Sequence, residues 1–119
     1  MGTQPQTWTL EEYAMPNGER PMLGFLRGLE GRNKRDALAL IQLLRERGNH
    51  LRPPQSKAVE TGLFELRGHQ VRVFYMFLPG RHVVLLDGIV KKEDAIPEEV
   101  LKRVRGYRAA VEAAQRKSG

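Results

Sequence analysis

The chain has no cysteine, so disulfides and thiolate zinc sites are excluded and a reducing compartment is allowed. No apolar run approaches the roughly 18 residues of a membrane span, and no membrane partner is expected. Met1-Gly2-Thr3-Gln4-Pro5 has no charged head followed by an apolar stretch. No signal peptide is therefore expected, and the cytoplasm is the default address. Histidine is scarce. His50, His69 and His82 are far apart and have no metal-ligand spacing, so no metal is expected. Ser-His-Asp arrangements, a P-loop and a dinucleotide fingerprint are also missing, and no cofactor is expected. There is no internal repeat and no low-complexity tract.

What is present is a basic, patterned domain. At 119 residues the chain is long enough for one sizeable core and too short for two. The net charge is +6, and its distribution is uneven. Residues 1–47 carry +1, residues 48–92 carry +4 and residues 93–119 carry +1. The excess sits in the middle of the chain, where a phosphate backbone or an acidic protein is the natural partner.

Hydropathy gives the order of elements. Trp8 and Leu10 alternate with polar neighbours over residues 7–14, which predicts a first strand. Pro16-Asn17-Gly18 predicts a turn. Met22, Phe25, Leu26 and Leu29 recur at helical spacing behind Pro21. Ala37, Leu40, Ile41 and Leu44 predict a second helix over 33–47, stopped by Gly48. The two helices are expected to run antiparallel. Residues 49–61 read as a loop barred from regular structure by Pro53-Pro54. Strands are predicted at 63–67, 70–78 and 82–90, with turns at Gly68-His69 and Pro79-Gly80. A last helix starts near Ile96-Pro97 and buries Val100, Leu101, Val104, Tyr107 and Val111. The fold class is α+β, with a small antiparallel sheet, two N-terminal helices and a C-terminal helix. Residues 1–6 and 113–119 are expected to be flexible.

Strand parity then places the charges. Glu65 and Arg67 face away from Phe64 and Leu66. The strand over 70–78 is apolar on both sides, so it is expected to be central. Two-residue turns would set Glu65 and Asp87 across from Arg72, so that two carboxylates flank one guanidinium. That arrangement has two readings. Arg72 simply ties three strands together, or it is held still to clamp a phosphate. Lys91 and Lys92 end the last strand, and Arg52 and Lys57 sit in the loop after the helices. Trp8 reads as core.

The chain resembles the RelE/ParE toxin superfamily of toxin–antitoxin systems, most closely its HigB-like, phage-derived branch. The resemblance is carried by Ser56-Lys57, Gly62-Leu63-Phe64-Glu65-Leu66-Arg67, Arg72-Val73-Phe74-Tyr75 and Leu85-Leu86-x-Gly88-x-Val90-Lys91-Lys92. Pro97 with Glu98-Glu99, Pro21 to Leu26 and Leu51-Arg52-x-Pro54 also fit, so the resemblance spans about residues 8–108.

It implies a metal-independent endoribonuclease that cuts messenger RNA on the ribosome. It also implies inhibition by a cognate antitoxin, often a helix-turn-helix protein. The implied chemistry is attack of a ribose 2′-hydroxyl on the adjacent phosphate. That step needs a base, stabilised phosphorane charge and a protonated leaving oxygen. By resemblance Arg72 stabilises the phosphate, Lys92 assists the leaving group, Lys57 or Arg67 positions the backbone, and Arg52 and Lys91 bind RNA. Glu65 stands where RelE-type relatives have lysine, and Asp87 where the HigB-like pattern often has histidine. No tyrosine occupies the first turn of the last helix. The base is left unassigned, with Asp87 one candidate. A ParE-like gyrase inhibitor and a silent RNA- or ribosome-binding relative are the alternatives.

Overall fold

Alternating apolar residues in the second half of the chain build the sheet that organises the molecule. In the computed structural model, residues 7–93 and 95–118 are described. Residues 1–6 and Gly119, expected to be flexible, lie outside the described residues. The elements run β1 (Thr9–Glu12), α1 (Pro21–Arg27), α2 (Gly31–Arg47), β2 (Ser56–Glu60), β3 (Leu63–Arg67), β4 (Val71–Leu78), β5 (His82–Val90) and α3 (Glu98–Ser118). The strand order is β1-β5-β4-β3-β2. β2 to β5 pair antiparallel, and β1 joins β5 in parallel. The α+β class is as the sequence predicts, with β4 in the middle.

Both faces of the sheet are covered. Leu66, Val73, Tyr75, Val83 and Leu85 pack with Met22 of α1 and with Ala37, Leu40 and Leu44 of α2. Leu63, Phe74, Met76, Val84 and Leu86 pack with Val100 and Val104 of α3 on the other face. This double burial explains why β4 reads as a continuous apolar run rather than an alternation. Trp8 is core, edge-on to Phe77 at 5.5 Å. It lies over the end of α2, where Gly48 has φ +51° and a Cβ would come within 2.0 Å of the indole.

Three features depart from the sequence reading. The first is β2, where residues 56–60 form an edge strand on β3. Pro53-Pro54 ends the irregular stretch without reaching that strand. The second is the β3–β4 hairpin. Gly68 N–H donates to the Val71 carbonyl at 3.0 Å, so the two-residue turn is His69-Gln70. One residue of slip in the turn moves every partner by two, and Arg67 faces Arg72.

The third is the β4–β5 hairpin. Its loop has three residues, since Leu78 pairs His82, and Arg81 takes φ +57°. A bulge then follows at Phe74/Tyr75, with Leu86 as the extra residue. Loop and bulge together place Asp87 opposite Phe74 and Ile89 opposite Arg72. The expected flanking of Arg72 by Glu65 and Asp87 is therefore incorrect. Those carboxylates flank Phe74.

Pro97 fixes the start of α3, its carbonyl accepting from Val100 N–H at 3.0 Å and Leu101 N–H at 3.1 Å. Glu98 and Glu99 in the first turn and Arg116 and Lys117 in the last complement the helix dipole. A clamp holds α3 to the sheet: the Glu60 carboxylate takes Arg105 at 2.8 Å and Arg108 at 2.7 Å. Those two guanidiniums hold the Glu60 carboxyl below the usual carboxylate range. The helix carries residues 113–118 with it.

Candidate functional site

Cross-strand partners point to the same face of a sheet. On the α3 face, one row reads Lys57, Glu65, Phe74, Asp87 across β2, β3, β4 and β5. The next row reads Arg67, Arg72, Ile89 across β3, β4 and β5. Both rows lie toward the β3–β4 turn, beyond the hydrophobic contact of α3 with Leu63, Met76 and Val84. Three sequence-predicted cations, Lys57, Arg67 and Arg72, are thus brought to one face, and Asp87 joins them. The bulge is what brings it there. Were Leu86 paired regularly with Phe74, Asp87 would point to the α1 and α2 face.

The charges are held in different ways. Arg72 is buried, at 7% exposure. Its Nη1 donates to the carbonyls of Gly68 and Val71, each at 2.8 Å. The backbone of the hairpin therefore fixes this guanidinium. Arg67 keeps 35% of its side chain exposed, with Nε 3.5 Å from the buried Glu65 carboxylate. Lys57 is exposed, across from Glu65. Asp87 is buried. It accepts the Gly88 N–H at 2.7 Å through Oδ1 and Arg103 Nε at 3.1 Å through Oδ2.

Two side chains that sequence reasoning did not assign to the site belong to it. Arg103 brings a further guanidinium from α3. Tyr107 lies one helical turn on, with its ring 4.8 Å from that of Tyr13. Burial pushes the Tyr107 phenol above its ordinary value. The nearby Asp87 charge adds to that, and Arg103 opposes it. The phenol therefore keeps its proton at neutral pH. The available signal was the spacing of Val100, Arg103, Val104 and Tyr107 on one side of the helix.

The remaining predicted residues are placed less centrally. Lys91 and Lys92 border a small hollow with Ile89 and Pro97, beside the end of the Arg67–Arg72 row. Lys91 N–H donates to the Gln70 carbonyl at 2.6 Å and extends the ladder past β5. Arg52 is turned to its own loop, where Nη1 donates to the Asn49 carbonyl at 3.2 Å. Among the described residues no group of three His, Asp or Glu could hold a metal ion.

Residues 24–107 match the family model of the phage-derived Gp49-like proteins. The chain belongs to the Gp49-like family. This family is associated with the toxins of toxin–antitoxin pairs, and a cognate antitoxin is the partner that association suggests. No curated protein matches the chain. The Gp49-like region begins inside α1 and ends at Tyr107. It therefore holds both rows of the cluster, the bulge, Lys91, Lys92 and Arg103, whereas β1 and Tyr13 lie before it.

Chemically, the arrangement sets Lys57, Arg67, Arg72 and Arg103 against Glu65 and Asp87, a surplus of positive charge on one face. Its geometry suits an anion with several oxygens. Arginine stays charged at all relevant pH and meets phosphate through two parallel N–H groups.

Proposed function

We propose that this chain is the toxin of a toxin–antitoxin pair, an endoribonuclease that cuts messenger RNA on the ribosome without a metal. One observation carries the reading: Arg67 and Arg72 face each other on neighbouring strands. Like charges directly opposite destabilise a sheet. A domain that places them there, one anchored by hairpin carbonyls, has positioned charge for an external anion.

In this reading the phosphate of a nucleotide linkage sits above the Arg67–Arg72 row. Arg67, about one-third exposed, reaches its oxygens. Arg72, fixed beneath, contributes a field that needs no reorganisation as charge develops. Lys57 and Lys91 align the backbone on either side. The 2′-hydroxyl gives its proton to solvent water, the 2′-oxygen attacks phosphorus, the bond to the 5′-oxygen breaks, and the products are a 2′,3′-cyclic phosphate and a 5′-hydroxyl. Lys92 delivers the proton to the leaving oxygen. Asp87 acts as an anchor for Arg103, and the protonated Tyr107 phenol is a second proton donor beside that pair.

The pairing of Arg67 with Glu65 and of Arg103 with Asp87 favours one alternative, an RNA- or ribosome-binding relative without cleavage. The two readings separate on one experiment. The chain is expressed in bacteria without its antitoxin, and RNA ends are mapped in the arrested cells. Cleaved messages ending in cyclic phosphate support the nuclease. Arrest with intact messages supports the binder. Arrest with broken DNA and intact messages supports a gyrase poison.

A further inference from the structure

A groove lies on the opposite face of the sheet from the cation cluster, in the layer occupied by α1 and α2. Its floor is Met22 and Leu85, and its walls include Leu26 of α1 and Leu38 and Ile41 of α2, around a volume of 460 Å³. Leu38 is 50% exposed, one of two large apolar side chains so exposed among the described residues. The groove is charged in opposite senses on its two sides. β1 supplies Glu11 and Glu12, while Arg20 at the start of α1 and Arg45 of α2 supply the cations. Glu11 is paired with His82 at 2.9 Å. Glu12 lacks such a partner: its Oε1 is enclosed, and among the described residues no donor reaches it.

We infer that this groove seats an amphipathic helix of a partner protein. The helix would carry an apolar row on Leu26, Leu38 and Ile41, glutamate or aspartate toward Arg20 and Arg45, and lysine or arginine toward Glu12. The helix form follows from position. The space lies over the sheet face, in the same layer as α1 and α2, the layer that helices already occupy on this face. A strand would have to add beyond the β1 edge. The recognition is helix-in-groove, with apolar anchors at i, i+4 and i+7. The opposed charges give the occupant one direction. The inference rests on the toxin reading only for the partner's identity, since in that reading the helix belongs to the antitoxin. Because groove and cluster lie on opposite faces, binding and toxicity are separable.

The test uses the full chain and a synthetic helix of about 20 residues. Leucines occupy i, i+4 and i+7, glutamates line one flank and lysines the other. Binding is read by fluorescence anisotropy and by backbone amide shifts. Saturable binding is expected, with shifts centred on Leu26, Leu38 and Ile41. Leu38→Asp, at an exposed position that folding tolerates, is expected to weaken it about tenfold or more. Arg45→Glu is expected to weaken it too, with recovery when the peptide's glutamates become lysines. Arg72→Ala is expected to leave it unchanged, so a failed nuclease assay and a failed titration are separate results. No binding, binding insensitive to Leu38→Asp, or shifts centred on Lys57 and Arg67 would overturn the inference. A free chain that sediments as a dimer, and as a monomer after Leu38→Asp, would also overturn it by making a second copy the occupant.

Discussion

Arg67 and Arg72 occupy facing positions, yet they carry different burdens. Arg72 is buried and bonded to two hairpin carbonyls. Its removal leaves buried acceptors unsatisfied, at a cost of about 1–3 kcal/mol. Arg67 is about one-third exposed, and it is the cation beside the buried Glu65 carboxylate, so its removal leaves a buried charge without its partner, also at a cost of about 1–3 kcal/mol. Arg67→Ala is therefore expected to lower RNA cleavage by about 10²–10³-fold, the usual effect of losing one charge-stabilising donor, and to lower its urea midpoint, with the midpoint but not the cleavage recovered when Glu65→Gln removes the orphaned charge. Arg72→Ala is expected to lower both. Cleavage assays beside urea titrations check the pair, and an Arg67→Ala chain that cuts normally would remove Arg67 from the reaction. The types and faces of these residues were legible in the sequence, because strand parity needs only the alternation of Phe64, Leu66 and their neighbours. Their partners were not. Partnership depends on where a turn begins, and nothing in Gly68-His69-Gln70 distinguishes the two candidate turns.

The elements differ in how clearly the chain announces them. The helices and the three central strands follow from apolar spacing, since each buries a full stripe or both faces. β2 has no such signature. Ser56-Lys57-Ala58-Val59-Glu60 is short, polar and on an edge. It is a strand because β3 offers it backbone partners, a tertiary cause with little local trace. The bulge in β5 is hidden for the same reason, as Leu86 looks like any other apolar strand residue.

Two expectations belong to this scale. Gly88 lies under α1, where a Cβ would come within 2.4 Å of the Phe25 ring. Gly88→Ala is expected to cost about 1–3 kcal/mol by overpacking, measured by urea unfolding. A neutral result would mean that α1 shifts freely on β5. The Glu60 clamp governs α3. Its carboxyl is depressed in the folded state by Arg105 and Arg108, so its stabilising effect is present above the unfolded carboxylate pKa. That effect is lost as pH falls through the folded value. Glu60→Gln is expected to melt earlier than the parent at neutral pH, with the gap closing in acid. A gap that persists unchanged in acid would mean that charge does not hold the helix.

For the whole molecule, one sheet separates two surfaces. The α3 face gathers Lys57, Arg67, Arg72 and Arg103 around two buried carboxylates, and the α1–α2 face holds the groove. Net charge alone pointed to an anionic partner, and its concentration in residues 48–92 pointed to the sheet. What composition could not give is convergence. Arg103 and Asp87 meet only because α3 crosses β5 beside a bulge, and Arg52 stays apart because its loop turns it toward Asn49. The placement of fixed positive charge on one face is the claim from which the proposed cleavage follows.

The most direct test maps the 5′ ends of messenger RNA in cells expressing the chain and, separately, its Arg67→Ala variant at matched levels. New ends bearing 5′-hydroxyls within translated regions are expected in the first culture, and their loss in the second. Intact messages in growth-arrested cells, or equal cutting by both chains, would contradict the proposed cleavage.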